Sequence, residues 1–270
     1  WVLEIVPFLL YNIFWERGIF MITIKSDREI ELMREAGYMV SKTHKYLKPF
    51  IKEGITTKEL DRLAEEYIRS MGGVPTCKGF EGFPATLCTS INDEVVHGIP
   101  SNRKLKKGDI ITIDMVIGYK GYQGDAAWTY KVGDVSKEKE YLMEHTEKAL
   151  YEGIKMVKPG ARVGDISAAV EKYARSHNLG IVKELCGHGI GTDMHEDPNV
   201  PNYGVAGTGP ILKAGMVICI EPMLNLGTDD IYEEDDGWTI RTEDGKSAAH
   251  YEHTVLITKD GYEILTPRLD

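Results

Sequence analysis

The sequence predicts an α+β fold made of two related halves. Three observations carry that reading: four amphipathic stretches with helix-capping signals, five strand-like runs between and after them, and an internal repeat offset by 106 residues. With 270 residues, 42% of them apolar and 27% charged, the composition is that of an ordinary globular protein, which excludes disorder, collagen and a membrane bundle.

Residues 1–20 (WVLEIVPFLLYNIFWERGIF) stand apart. They are apolar but interrupted by Glu4, Pro7 and Asn12, fall short of the ~20 apolar residues a bilayer span needs, and have no basic start, so they read as neither signal peptide nor anchor. Position 1 is not Met, Met21 opens a strand-like tetrad followed by a capped helix, and Trp15-Glu16-Arg17-Gly18 can be encoded by a purine-rich run of the ribosome-binding kind. Residues 1–20 are therefore expected to be translated leader outside the fold, and residues 21–270 a single domain.

The first helix is capped by Ser26 or Asp27, carries Ile30, Met33, Ala36, Gly37 and Val40 on one stripe, and runs towards Pro49. Thr56 with Glu59 makes a capping box for a second helix that stops at Gly72-Gly73. Ser136 starts a third, to about Val157, and Asp165 caps a fourth that ends near Asn178-Leu179-Gly180. Strands are expected at Ala85–Ile91, Asp109–Ile117, Gly124–Lys131, Gly215–Pro222 and Glu252–Thr258, bounded by Gly, Asp or Pro. Shifting the chain by 106 residues lays 54–73 on 160–179, with Gly54/Gly160, Glu65/Glu171, Tyr67/Tyr173, Arg69/Arg175 and Ser70/Ser176 coinciding. That pattern predicts two α+β halves meeting across one continuous sheet, with a cleft between them.

Charge and cysteine usage narrow the function. There are 42 acidic against 32 basic residues, a formal charge of −10, and no basic stripe to hold a phosphate backbone, so nucleic acid is not an expected partner. The four cysteines lie far apart without a C-x-x-C spacing, which suggests neither a zinc knuckle nor a disulfide framework and fits a reducing cytoplasm.

The chemistry is concentrated in acidic residues on strands. In GDIITIDMVIG, Asp114 lies mid-strand, and a second strand follows the Tyr119-Lys120-Gly121 segment. A turn at Tyr119-Lys120 would set Asp114 directly opposite Asp125, whereas a turn at Lys120-Gly121 would set it opposite Ala127. Facing carboxylates repel and call for a cation between them. Glu221 sits in the apolar run MVICIEPM and Glu252 at the head of the strand in HYEHTVLIT, where unpaired carboxylates are costly. His188, among Gly187, Gly189 and Gly191, stands where the backbone can approach a ligand closely. Two Asp, two Glu and a His form an oxygen-rich set suited to a pair of divalent ions rather than a structural zinc, and such a pair suits hydrolysis by activating water and polarising a carbonyl.

Five segments carry a resemblance. SINDEVVHGIP (90–100), DIITIDMVIGYKGYQGD (109–125), CGHGIG (186–191), IEPM (220–223) and DGWTIRTEDGKSAAHYEHTV (236–255) together resemble the methionine aminopeptidases of the type I, bacterial kind, from Met21 to about Pro267. The resemblance implies a "pita-bread" fold, two pseudo-symmetric α+β halves around a mainly antiparallel curved sheet, with a dinuclear site at their junction. It makes 21–270 one catalytic domain that removes the initiator methionine from nascent proteins and peptides, favouring small second residues. Asp114, Asp125, His188, Glu221 and Glu252 match the family's metal ligands for two divalent ions (Mn, Fe or Co), with Asp125 and Glu252 bridging. His195 would hydrogen-bond the scissile carbonyl, His97 would sit near the substrate amide nitrogen, and Glu221 matches the proton shuttle. The family's methionine pocket is matched by Cys77, Phe80, Phe83 and Trp238, and a thiol and aromatic faces suit a thioether. Phe80 and Phe83 stand where relatives often have tyrosine, Glu81 where a histidine is common, and Val96 where a cysteine is usual.

The resemblance further implies peptide and nascent-chain N-termini as partners, proximity to the ribosome, a monomer, and a cytoplasmic location away from membranes. Two other functions fit parts of the pattern: a proline-specific aminopeptidase or dipeptidase of the same fold, which usually carries a further N-terminal domain, and a non-catalytic binding protein on that scaffold, whose known examples have lost ligands.

Overall fold

The computed structural model describes residues 22–269. The expected leader, residues 1–20, and the start at Met21 lie outside the described residues.

Four helices form where the capping signals place them. In the first, Asp27–Leu47, the Ser26 backbone N–H and hydroxyl both donate to the Glu29 carboxylate (2.6 and 2.7 Å), which satisfies the helix start. Its stripe of Met33, Ala36, Gly37, Val40 and Leu47 is buried. Thr56 Oγ1 accepts from Glu59 N (3.1 Å) at the start of the second helix, Thr57–Ser70, while the Glu59 carboxylate turns to Arg62 instead of closing the box. Ser136 caps the third, Lys137–Ile154, through Lys139 N (3.3 Å). The fourth, Val163–Ser176, corrects the expected cap: Arg162 is the N-cap, and Asp165 lies in the first turn, accepting from Arg162 N and Gly207 N (both 2.7 Å). Asp165 still neutralises exposed N–H groups, but from inside the helix.

Among the described residues the strand pairings are antiparallel throughout and form four sheets. Two of them carry the fold. A four-stranded sheet has Ile110–Tyr119 at its centre, with Tyr122–Lys131 on one side and Cys88–Ile91 and Val74–Pro75 on the other. A five-stranded sheet runs Tyr262–Ile264, His253–Ile257, Val217–Ile220, Cys186–Gly189, Glu196–Pro201. The expected single continuous sheet is thus interrupted where these two meet. Across the break Glu252 N donates to Ala127 O (2.7 Å), and threonine hydroxyls stand in for ladder partners. Thr254 Oγ1 accepts from Asp125 N (3.0 Å) and donates to Asp125 O (2.8 Å), and Thr129 Oγ1 donates to His250 O (2.9 Å).

The 106-residue offset recurs in the backbone. Thr57–Ser70 and Val163–Ser176 have the same length and begin and end at that offset. Gly54 and Gly160 both take left-handed backbone, with φ of 91° and 87°. The first helix crosses the central hairpin where two glycines meet: a Cβ on Gly124 would lie 2.5 Å from Gly37 N and 2.7 Å from Gly37 Cα. That close crossing fixes the helix directly behind the strand that carries Asp125.

Candidate metal centre and substrate cleft

The hairpin turn is Lys120-Gly121, both with positive φ (49° and 88°), as a two-residue turn between twisted strands requires. The register therefore pairs Asp114 with Ala127 and Asp125 with Val116. Direct opposition of the two aspartates is corrected to a diagonal relation: both point to the same face, two residue pairs apart along the ladder.

The remaining acidic groups come from the other sheet. The ladder between Val217–Ile220 and His253–Ile257 ends on the pair Ile220 and His253, and one residue beyond each come Glu221 and Glu252. Neither glutamate is in a strand; both lie at the mouth of the ladder, next to the break where Asp125 arrives. His188 sits on the neighbouring strand, and its flanking glycines are there for space. A Cβ on Gly187 would overlap Cys219 O, and one on Gly189 would overlap Asp197 O.

The His188 ring donates Nδ1–H to Gly189 O (2.9 Å) and turns Nε2 towards the acids, 3.4 Å from Glu221 Oε1 and 3.9 Å from Asp125 Oδ2. Donor atoms of Asp125, His188, Cys219 and Glu252, all buried, lie within 4.8 Å of one another. Asp114 and Glu221 are not in that tight cluster but line the same cleft. Asp125 Oδ1 and Glu252 Oε1 have no hydrogen-bond partner, although their residues are only 4% and 2% exposed.

Burial, and then the Glu252 and Asp114 charges, pushes Asp125 well above the usual carboxylate range; burial, and then the Glu221 and Asp114 charges, does the same to Glu252; burial, and then the Asp114 charge, does so to Glu221, and burial raises Asp114. Burial pushes His188 down to about 3 and His97 and His250 to about 4, and lowers His195, so these rings are neutral at pH 7. Neutral imidazole beside clustered carboxylates with orphaned oxygens is the donor set a divalent cation requires, so the residues present fit a metal.

All eleven site residues nominated from sequence line one cleft of about 700 Å³. Its far side is apolar: Cys77, Phe83, Cys88, Val116 and Met194 pack together with Phe80 and Trp238 against them. Phe83 and Trp238 meet edge to face at 5.0 Å, and His97 lies 6.5 Å from Trp238. His195 bridges the two sides, edge-on to His188 at 4.4 Å and to Phe80 at 5.5 Å. His97 takes left-handed backbone (φ 59°), a conformation that a non-glycine residue adopts at a cost. Glu81, also left-handed (φ 47°), and Val96 line the cleft as well.

Two residues escaped the sequence reading. His250 is 2% exposed, lines the cleft with neither ring nitrogen hydrogen-bonded, and brings Nε2 to 3.5 Å from Glu221 Oε2. Cys219 belongs to the tight donor cluster. Each precedes a nominated glutamate by two residues, and that period-two spacing was the available signal.

An oxygen-rich, buried donor cluster at the junction of two related α+β halves defines a metal-dependent hydrolase, and the family match agrees: the model of metallopeptidase family M24 matches residues 31–259, and the chain belongs to that family. Within it, the chain is 50% identical over 246 residues to methionine aminopeptidase 1 of Bacillus subtilis, covering 91% of this chain and 99% of that protein. It is 49% identical to the methionine aminopeptidase of Clostridium acetobutylicum, with the same two coverages. The crystal structure of methionine aminopeptidase from Rickettsia prowazekii superposes with a TM-score of 0.90 at 41% identity, covering 92% of this chain and 100% of that one. Prolidase from Pyrococcus furiosus shares the fold, with a TM-score of 0.74 at 22% identity. Among the described residues no helix is long and apolar enough to cross a membrane.

Proposed function

We propose that the chain is a metalloaminopeptidase that removes N-terminal methionine from nascent proteins and peptides in the cytoplasm. The observation that carries this is the joining, in one cleft, of a buried carboxylate and imidazole cluster to an apolar pocket of thiol and aromatic groups. The identity to named methionine aminopeptidases across nearly the whole of their length supports it.

In this reading Asp114, Asp125, His188, Glu221 and Glu252 would hold two divalent ions (Mn, Fe or Co). Ions bound there would supply Lewis acidity at a scissile carbonyl and lower the pKa of a water. Glu221 takes a proton from the attacking water and returns it to the leaving amine. His195, neutral because it is buried, donates an N–H to the developing oxyanion. His97 stands by the substrate amide nitrogen. Cys77, Phe80, Phe83 and Trp238 take the methionine side chain, whose polarizable sulfur suits aromatic edges and a thiol. A monomer working near the ribosome, in a single catalytic domain over 21–270, completes the reading.

The test is release of free methionine from Met-Ala-Ser by the metal-stripped full chain, with and without added Mn(II), beside Leu-Ala-Ser and Ala-Pro-Ala. Metal-dependent cleavage of the methionine peptide alone is the expected result. Cleavage of Ala-Pro-Ala alone would replace the reading with the proline-specific one, and silence on all three with metal bound would overturn it in favour of a binding role. In the same assay Asp114→Asn and Glu252→Gln abolish metal-dependent turnover while circular dichroism shows the fold kept; near-normal turnover in either would refute its assignment.

A further inference from the structure

Cys219 has no part in the mechanism above, yet its thiol lies among the cluster's carboxylates. Its Sγ, a ring nitrogen of His188 and one carboxylate oxygen each from Asp125 and Glu252 are mutually within 4.8 Å, and all four residues are buried. Strand pairing holds it there. Cys219 is the ladder partner of Thr254, whose hydroxyl lies 3.7 Å from Sγ and bonds both the N–H and the C=O of Asp125. The independent sign of a ligand is the pair of orphaned oxygens, Asp125 Oδ1 and Glu252 Oε1, in residues 4% and 2% exposed.

One sulfur, one imidazole nitrogen and two carboxylate oxygens make a four-donor set of borderline-soft character. With metal–ligand bonds of about 2.0–2.3 Å, a tetrahedral ion separates its ligand atoms by roughly 3.5 Å, so side-chain shifts of about an ångström would close this cluster on one ion. We propose that Asp125, His188, Cys219 and Glu252 form a site for a single thiophilic divalent ion, of the Zn(II) or Cd(II) class, with Cys219 Sγ as a ligand. Coordination forms one metal–sulfur bond and releases the thiol proton to solvent. Mn(II), a harder ion, does not engage the sulfur. The proposal rests on the reading above that Asp125, His188 and Glu252 hold metal. Since it uses three of those five side chains, the thiophilic ion and the working pair exclude each other, which makes the site inhibitory.

The test is titration of the metal-stripped full chain with Cd(II), followed by near-ultraviolet thiolate-to-metal charge transfer and by calorimetry. The expected result is a one-thiolate band that saturates at one equivalent, persists in Cys186→Ser, whose thiol lines the cleft outside the cluster, and is lost in Cys219→Ser. Cadmium-113 NMR of the unmodified chain reads the same sulfur without any variant, as a downfield shift relative to oxygen and nitrogen ligation. Cd(II) bound with no band and no downfield shift, or a band that survives in Cys219→Ser, overturns the assignment of Cys219 and leaves the oxygen-rich site standing. Failure to bind any divalent ion overturns both this inference and the metalloaminopeptidase reading.

Discussion

Glu221 divides its two oxygens between two buried imidazoles, Oε1 lying 3.4 Å from His188 Nε2 and Oε2 3.5 Å from His250 Nε2. If, as proposed, His188 holds metal and Glu221 carries the proton, His250 is the remaining imidazole beside that carboxylate. His250→Leu puts hydrocarbon where the imidazole approaches Glu221 Oε2 at 3.5 Å, so it should lower kcat/KM by roughly 10–100-fold, the usual cost of losing a supporting group at a metal site. His250→Gln, which keeps an N–H donor, should recover most of that loss. A leucine variant as active as the parent, with both ions bound, would remove His250 from the mechanism. His195 makes a contrasting case, because the proposed mechanism has it donate to substrate and not to a metal ligand. His195→Ala should retain full metal stoichiometry yet lower kcat by roughly 10²–10³-fold, as deletion of one oxyanion donor does; unchanged kcat would exclude that role.

At the scale of elements, the central hairpin shows where sequence patterning reaches and where it stops. Alternation places Asp114 and Asp125 on one face with either turn, because moving the turn by one residue shifts the pairing by two; the turn decides only whether they stand directly or diagonally opposed. Lys120-Gly121 wins because a residue that tolerates left-handed backbone is needed at both corners and Gly121 supplies the second at no cost. The helices were legible because their caps are local, whereas the threonine-bridged break at Thr129 and Thr254 depends on contacts over a hundred residues apart. His250 and Cys219 were illegible for the same reason: their partners reach them only through the fold.

The helix-on-hairpin crossing yields two further predictions. Gly124→Ala drives a methyl into the Gly37 backbone and should cost about 1–3 kcal/mol in urea unfolding, or more. Because Asp125 is the next residue, it should also weaken metal binding; a variant of parental stability would show that the crossing gives way freely. Behind the same hairpin His44 stacks on Trp128 at 4.0 Å, bonded to Tyr130 OH (3.0 Å) and Ala126 O (3.2 Å), and burial pushes its pKa down to about 3. A histidine with a depressed folded value contributes stability that is present above its ordinary value of 6.5 and is lost as pH falls below it. Between pH 6.5 and 4.5 this one group should cost about 2–3 kcal/mol. The urea midpoint of His44→Gln should therefore fall less steeply over that window than the parent's, and parallel curves would refute the linkage.

For the whole molecule, the repeat places Asp114 and Asp125 in one half and His188, Glu221 and Glu252 in the other, so any ion shared by Asp125 and Glu252 ties the halves together across the break in the sheet. An ion that binds only the folded chain stabilises it by about 2.7 kcal/mol at a hundred times its Kd. Added Mn(II) should therefore raise the thermal midpoint of the stripped chain in a concentration-dependent way, and Glu252→Gln should flatten that response. Acid should erase it as well. Burial, and then the charges of neighbouring carboxylates, raises Asp125 and Glu252 above the usual carboxylate range in the metal-free chain, so as pH falls through those raised values protons occupy the same oxygens and the ion has to displace them. Calorimetric scans with and without Mn(II) at neutral and at mildly acidic pH read the difference directly: the metal-dependent increment should shrink on acidification. An increment that stayed constant with pH, or survived in Glu252→Gln, would mean that the ion sits elsewhere and that the halves are joined by packing and the threonine bridges alone.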